Sequence, residues 1–215
     1  SSDLALAYNE GAVAPSPVRS RIGAFSPAEL DEEGIEKQIA DHAYCATLAK
    51  QSGYDGVEIM GSEGYLINQF IVTKTNQRND KWGGDYQNRI RFALEIVKGI
   101  RKKLGQNFII IYRLSMLDLI KEGSSLEEII ELGQAIEKAG ASLINTGIGW
   151  HEARIPTIAT MVPRAAFVWV TKMLKNKISI PLVTTNRINT PEVAESVLAE
   201  GNADMVSMAR PFLAD

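Results

Sequence analysis

The sequence predicts an α/β protein built around a parallel sheet. Apolar runs of strand length alternate with longer segments of helical period, and the breaks fall at Gly, Pro, Ser and Thr. Five runs suit strands buried on both faces, where a near-continuous apolar stretch replaces polar alternation: Gly56–Met60, Phe108–Leu114, Ser142–Ile148, Leu182–Thr185 and Asp204–Met208. On pattern alone, five βα units fit a TIM barrel and a doubly wound sheet equally well. No strand is followed by a GxGxxG loop, which weakens the dinucleotide-binding form of the second.

In chain order, residues 1–25 read as a loop-like lead-in of small residues and prolines without a sustained period, and 26–215 carry the βα units. Ser1 is not a methionine and Asp215 closely follows the last strand, so both ends are expected to be cut from something longer. Ile35, Ile39, Ala43 and Ala46 mark one face of a first helix; Ile90, Leu94, Val97 and Leu104 mark that of the next. Ser124 with Glu127 offers a capping box for the helix after the second strand, and Gly140 a left-handed end. Thr190 and Pro191 read as N-cap and N1 of the last long helix, closed by Gly201.

With 45% hydrophobic and 23% charged residues, the chain can bury a sizeable core. A net charge of −3 gives no reason to expect nucleic acid or an anionic membrane as partner. The single cysteine, Cys45, excludes an internal disulfide or a cysteine cluster within the chain and is expected in the core. No run approaches the ~20 apolar residues of a membrane span and no signal-peptide pattern is present, so a cytoplasmic enzyme is the expectation. No metal site is expected.

In parallel α/β proteins the reacting groups gather beyond the C-terminal ends of the strands. After the first strand comes Met60-Gly61-Ser62-Glu63-Gly64-Tyr65. A phenol, with an ordinary pKa of about 10, stays protonated at neutral pH, so Tyr65 can deliver a proton to a carbanion-like centre or simply pack beneath the loop. Of the two histidines, His42 falls mid-helix and reads as structural or solvated. His151 follows a strand and a Gly-rich turn, with Glu152 and Arg154 beside it. It can donate or accept near neutral pH, or merely cap its loop.

Arg113 interrupts an apolar run, and a buried guanidinium needs an anion, whether a ligand or an ion-pair partner. Arg187 and Arg210 end the fourth and fifth strands, where barrels commonly hold a phosphate; each could instead be a surface or ion-paired arginine. Around Asn76–Gly84 the reading is structural: Gly83-Gly84 for a tight turn, Asp80 with Arg89 as a brace. Lys74 is either a solvated loop lysine or a ligand contact.

The stretch from Gly53 to Arg91, GYDGVEIMGSEGYLINQFIVTKTNQRNDKWGGDYQNRIR, resembles the signature loop of the flavin-dependent ene-reductases of the old yellow enzyme family. The nearest branch is the 2,4-dienoyl-CoA reductases, and the resemblance runs from about Val13 to the end. It implies a partial TIM (β/α)8 barrel, the five strands being barrel strands 4 to 8 of one FMN-binding domain. The arc would have an open edge and an uncovered interior. Most relatives read His-Gly-x-Asn/His-Gly-Tyr after barrel strand 4, with the first and fourth residues holding an enone carbonyl. Met60 and Glu63 stand there instead, as in the dienoyl-CoA branch.

The resemblance also implies roles. Arg113 would face the N1–C2 edge of FMN, and Arg187, Ala209 and Arg210 would surround its phosphate. Glu63, Lys74, His151, Glu152, Ala153 and Arg154 would contact an acyl-CoA substrate. Tyr65, assisted by His151, would protonate a 2,4-dienoyl-CoA thioester reduced by the flavin. Bacterial members continue into an iron–sulfur cysteine cluster and an FAD- and NAD(P)H-binding region. Neither is in this sequence, so the segment alone is expected to be unable to draw electrons from NADPH. A sibling flavin enzyme, such as an amine dehydrogenase or enone reductase, and a non-catalytic barrel piece remain the alternatives.

Overall fold

A computed structural model describes residues 11–21, 23 and 25–214. The first ten residues of the expected lead-in, with 22, 24 and 215, lie outside the described residues. What is described of the lead-in includes one short parallel ladder, β1 (Val13–Ala14) with β2 (Ala28–Glu29). There follow α1 (Glu32–Gln51), β3 (Gly56–Gly61), α2 (Leu66–Ile71), α3 (Tyr86–Leu104), β4 (Ile109–Leu117), α4 (Leu126–Ala139) and β5 (Leu143–Ile148). The chain ends with α5 (Val168–Leu174), β6 (Leu182–Thr184), α6 (Pro191–Ala199), β7 (Met205–Val206) and α7 (Pro211–Ala214).

Strands β3 to β7 form one sheet, every pair parallel and every strand beside its predecessor in sequence. A doubly wound sheet reverses its order at a switch point, whereas a barrel adds each strand next to the last. The order therefore separates the two folds that pattern left equal, in favour of a barrel arc. Beyond β3 and β7 no further strand pairs with the sheet among the described residues.

Alternation along the strands divides the sheet into two faces. Ile59, Ile110, Tyr112, Leu114 and Ile144 point outward and are buried beneath the helices, against Ile35, Phe92, Ile96, Ile100 and Ile136. On the concave face Glu58, Met60 and Ile109 are exposed, Arg113 is half-buried, and Asn145 is buried. The register aligns Met60 with Arg113 and Arg113 with Asn145, which brings three polar or polarizable side chains to one row.

Caps fall largely where the sequence asks for them. Asp31 accepts from Gly34 N–H to start α1, and Thr190 accepts from Val193 N–H ahead of Pro191. Gly140 ends α4 in the left-handed region, at φ 108°. The capping box is Ser125 with Glu128, one residue later than the expected Ser124 with Glu127. Adjacent serines and adjacent glutamates both satisfy the spacing, and the Ser124 N–H is taken by Asp118 Oδ2.

Two further expectations are corrected. Asp80 pairs with Arg78, while Arg89 donates to Ile71 O, Gly84 O and Glu128, so the loop is braced by two separate pairs. Arg78 reaches on to Pro15 O, Leu30 O and Glu29, tying the lead-in to the loop. Gly83 is required because an added Cβ would lie 2.6 Å from Arg78 O. Cys45 is exposed rather than in the core, since it faces a groove with Val57 and Met60 beside the outer edge of β3. His42 is structural as expected: Nδ1 donates to Gln38 O and the ring meets Phe92 edge-on. Among the described residues no helix is long and apolar enough to cross a membrane, and no group of three or more His, Cys, Asp or Glu could hold a metal ion.

Candidate active site

A cleft of about 530 Å³ opens beyond the C-terminal ends of the sheet strands. Seven of the residues singled out from sequence line it: Glu63, Arg113, His151, Ala153, Arg187, Ala209 and Arg210.

At one end, β3 stops at Gly61 and the chain turns through Glu63 (φ 62°) and Gly64 (φ 86°) before α2 begins behind Tyr65. A left-handed glutamate is uncommon and needs local support. Asn68 supplies part of it by accepting from Gly64 N–H at 2.8 Å. Asn68 in turn donates to the buried carboxylate of Asp118, which also accepts from the Ser115 hydroxyl and from Ser124 N–H. A buried carboxylate is tolerated because these donors replace its water.

The carbonyl oxygen of Glu63 then receives two bonds from His151, its backbone N–H at 3.0 Å and its ring Nδ1 at 2.6 Å. A carbonyl can only accept, so Nδ1 carries a proton and the neutral ring presents a bare Nε2. Tyr65 stacks on this imidazole with centroids 5.5 Å apart at 21°, and Trp150 stacks on it at 6.3 Å and 14°. Glu152 Oε1 lies 3.9 Å from His151 Nε2, while the Ser20 hydroxyl and Arg21 N–H donate to its carboxylate. Gly64 leaves just enough room for the pile. An added Cβ would meet Trp150 Cε2 at 2.5 Å and His151 Nδ1 at 2.7 Å.

Arg113 stands on the floor of the cleft with a protein anion beside it. Its Nε and Nη2 donate to one oxygen of Glu63 at 3.1 and 2.7 Å, and Nη1 lies 3.8 Å from Glu58. Asn145 Nδ2 donates to the second Glu58 oxygen at 2.8 Å, leaving its own Oδ1 buried with no donor among the described residues. The guanidinium is thus ion-paired within the chain, one of the two roles its sequence position allowed.

At the other end, Asn186 and Arg187 follow β6 with φ of 69° and 62°. Two successive left-handed residues without glycine cost on the order of 1–3 kcal/mol each, a form of strain that clusters at ligand sites. The Arg187 side chain donates to Val162 O at 2.8 Å and Thr160 O at 3.4 Å. Arg210 is exposed beside Ala209, with no ion-pair partner among the described residues. Arg113, Arg187 and Arg210 are the guanidinium groups lining the cleft that could meet the anionic parts of a flavin mononucleotide, and Asn145 Oδ1 is an unpaired acceptor beside Arg113 that could take a ring N–H.

The remaining expected residues stand apart from the cleft. Tyr65 sits behind His151. Lys74 and Glu152 line a second, smaller cavity of about 90 Å³ with Trp150 and the lead-in. Arg154 is exposed and lines neither. Sequence reading missed Glu58, Asn145, Trp150, Asn68 and Asp118. Glu58 was detectable, as a lone carboxylate in an apolar strand run, the same signal that exposed Arg113. Asn68 and Asp118 carry no such mark.

Comparison with known proteins agrees with this architecture. "Metal reductase" of Desulforamulus reducens is 44% identical over 204 residues, covering 95% of this chain and 30% of that protein. "Cinnamate reductase" of Clostridium sporogenes is 31% identical, over 95% of this chain and 33% of that protein. The structure of a 2-naphthoyl-CoA reductase with 2-naphthoyl-CoA superposes at a TM-score of 0.91 and 39% identity, over 95% of this chain and 32% of that one. The chain therefore spans about a third of the length of these relatives. A family profile matches residues 3–215. The sheet order, the site at its C-terminal rim and this match together place the chain: it belongs to the NADH:flavin oxidoreductase / NADH oxidase family.

Proposed function

We propose that this chain is the FMN-binding part of an enzyme that reduces 2,4-dienoyl-CoA thioesters, with Tyr65 as proton donor. The observation that carries the reading is the stack of Tyr65 on His151, an imidazole that itself lines the Arg113 cleft and whose tautomer is set by Glu63 O. Reduced FMN, when bound, supplies a hydride from N5 to the far end of the conjugated system. Tyr65 gives its phenolic proton to the carbanion-like carbon that results, a step for which a positioned acid contributes about 10²–10⁴-fold. His151 orients the phenol and offers Nε2 to receive or relay a proton, and Glu152 stands behind it.

Met60 cannot donate a hydrogen bond, and the Glu63 carboxylate is engaged with Arg113, so neither serves as an enone clamp. That favours a thioester over a simple enone. Arg187, Ala209 and Arg210 would hold the FMN phosphate, and Glu63 and Ala153, which line the same cleft, would contact the acyl-CoA. NADPH would be the electron source, through an FAD and an iron–sulfur cluster carried elsewhere in the protein. A second reading replaces the dienoyl chain by an aryl-CoA thioester. The 39% identical structure holding 2-naphthoyl-CoA favours it.

The test is reoxidation of the reduced flavoprotein by each thioester, followed in the flavin spectrum. The expected result is rapid reoxidation by the dienoyl-CoA, slowed on the order of 100-fold by Tyr65→Phe. Reoxidation by 2-naphthoyl-CoA alone would select the second reading, and indifference to both would reject each.

A further inference from the structure

Arg113 faces two carboxylates on a floor that is mostly covered: the side chains of Arg113, Glu63 and Glu58 are 19%, 23% and 36% exposed. One Glu63 oxygen takes two guanidinium N–H bonds, and Glu58 adds a second negative charge 3.8 Å from Nη1. The local sum is one positive against two negative charges. Glu63 is also held in place from both of its ends. Its carbonyl is gripped twice by His151, Gly64 behind it is gripped by Asn68, and its carboxylate is gripped by Arg113. The carboxylate cannot leave the guanidinium through a backbone swing without releasing His151.

We propose that Glu63 is a redox-tuning residue: paired with Arg113, it holds the flavin of this site at a lower reduction potential than the guanidinium alone would set. The proposal rests on the flavin reading above. Reduction of a flavin by two electrons with one proton at N5 leaves a negative charge on the N1–C2 edge. A lone guanidinium there stabilises the reduced form and raises the potential. A carboxylate bonded to that guanidinium opposes the same charge, and a pair whose side chains are about one-fifth exposed is screened less than a surface pair. Glu58 acts in the same direction from farther away. A lower potential would make a reduced flavin held there the stronger hydride donor.

The experiment is a dithionite titration of the flavin-loaded protein against a reference dye, with sulfite binding at flavin N5 as an independent readout. Glu63→Gln keeps the hydrogen bond to Arg113 and removes the charge. The expected rise is on the order of tenfold in the reduction equilibrium, which for a two-electron couple is about 30 mV. Sulfite should bind more tightly in parallel. Glu63→Asp, which keeps the charge, should stay nearer the unsubstituted protein, and Glu58→Gln should give a smaller rise. Should Glu63→Gln not fold, Glu58→Gln decides by the same sign. Bound flavin whose potential is unmoved or falls overturns the tuning and leaves the flavin reading standing; a protein that binds no flavin overturns both.

Discussion

Ile110 and Ile109 are neighbours on β4, yet the first is fully buried under the helices and the second is 42% exposed on the concave face. The same division runs across the sheet. Outward residues such as Tyr112, Leu114 and Ile144 are all 0% exposed and pack on α3 and α4. Burial pushes the pKa of the Tyr112 phenol up, so it stays protonated, and its hydroxyl has no hydrogen-bond partner among the described residues. Inward residues are Glu58, Met60, Arg113 and Asn145, the row that faces the cleft side. One set of strands thus carries stability on one face and chemistry on the other, and alternation keeps the two separable.

The sharpest way to break that comparison is to shorten the two isoleucines in turn. Ile110→Ala should lower stability by about 2–5 kcal/mol, through lost burial and an unfilled cavity. Ile109→Ala should stay within about 1 kcal/mol. Urea midpoints measure both, and equal losses would mean that the concave face is as much a core as the convex one. Next in size is the cap that anchors α4 on the convex side. Ser125→Ala should cost about 1 kcal/mol by removing the acceptor for Glu128 N–H, and Ser124→Ala should cost less at its side chain.

The smallest effect is acid sensitivity at the thin end of the sheet. The Ser179 hydroxyl and the N–H groups of Ser179 and Ile180 hold the Glu137 carboxylate below its ordinary pKa, and Lys175 with Leu182 N–H does the same for Asp204. A depressed folded-state pKa means stabilisation that is complete above the unfolded value of about 4 and lost as pH falls through the folded one. Stability should therefore drop between about pH 5 and pH 2. Ser179→Ala should flatten part of that slope, and an unchanged slope would remove Glu137 from the account.

Much of the fold was legible because it rests on local signals. The apolar run Gly56–Met60 became Gly56–Gly61, and the Thr190-Pro191 start and the Gly140 stop are fixed by backbone chemistry that a short window contains. Where two local solutions existed, sequence could not choose: Ser124 and Ser125 differ only in what Asp118 takes. Side-chain pairing was less legible still. Asp80 had both Arg78 and Arg89 within reach in sequence, and only the folded loop assigns the partner. The Glu58–Arg113–Asn145 cluster depends on register between three strands, which no single-strand pattern encodes. Direction was readable for Arg113, since an inward cation demanded an anion, but that the anion would be Glu63 was not.

Gly64 has a consequence for how this protein can vary. Any other residue there would have to adopt a left-handed backbone and push an atom into the Trp150 indole and the His151 ring. The loops after β3 and β5, far apart in the chain, are consequently a single machined joint. A drift in one is transmitted to the other, and the distance between Tyr65 and the imidazole is inherited as one unit rather than adjusted residue by residue.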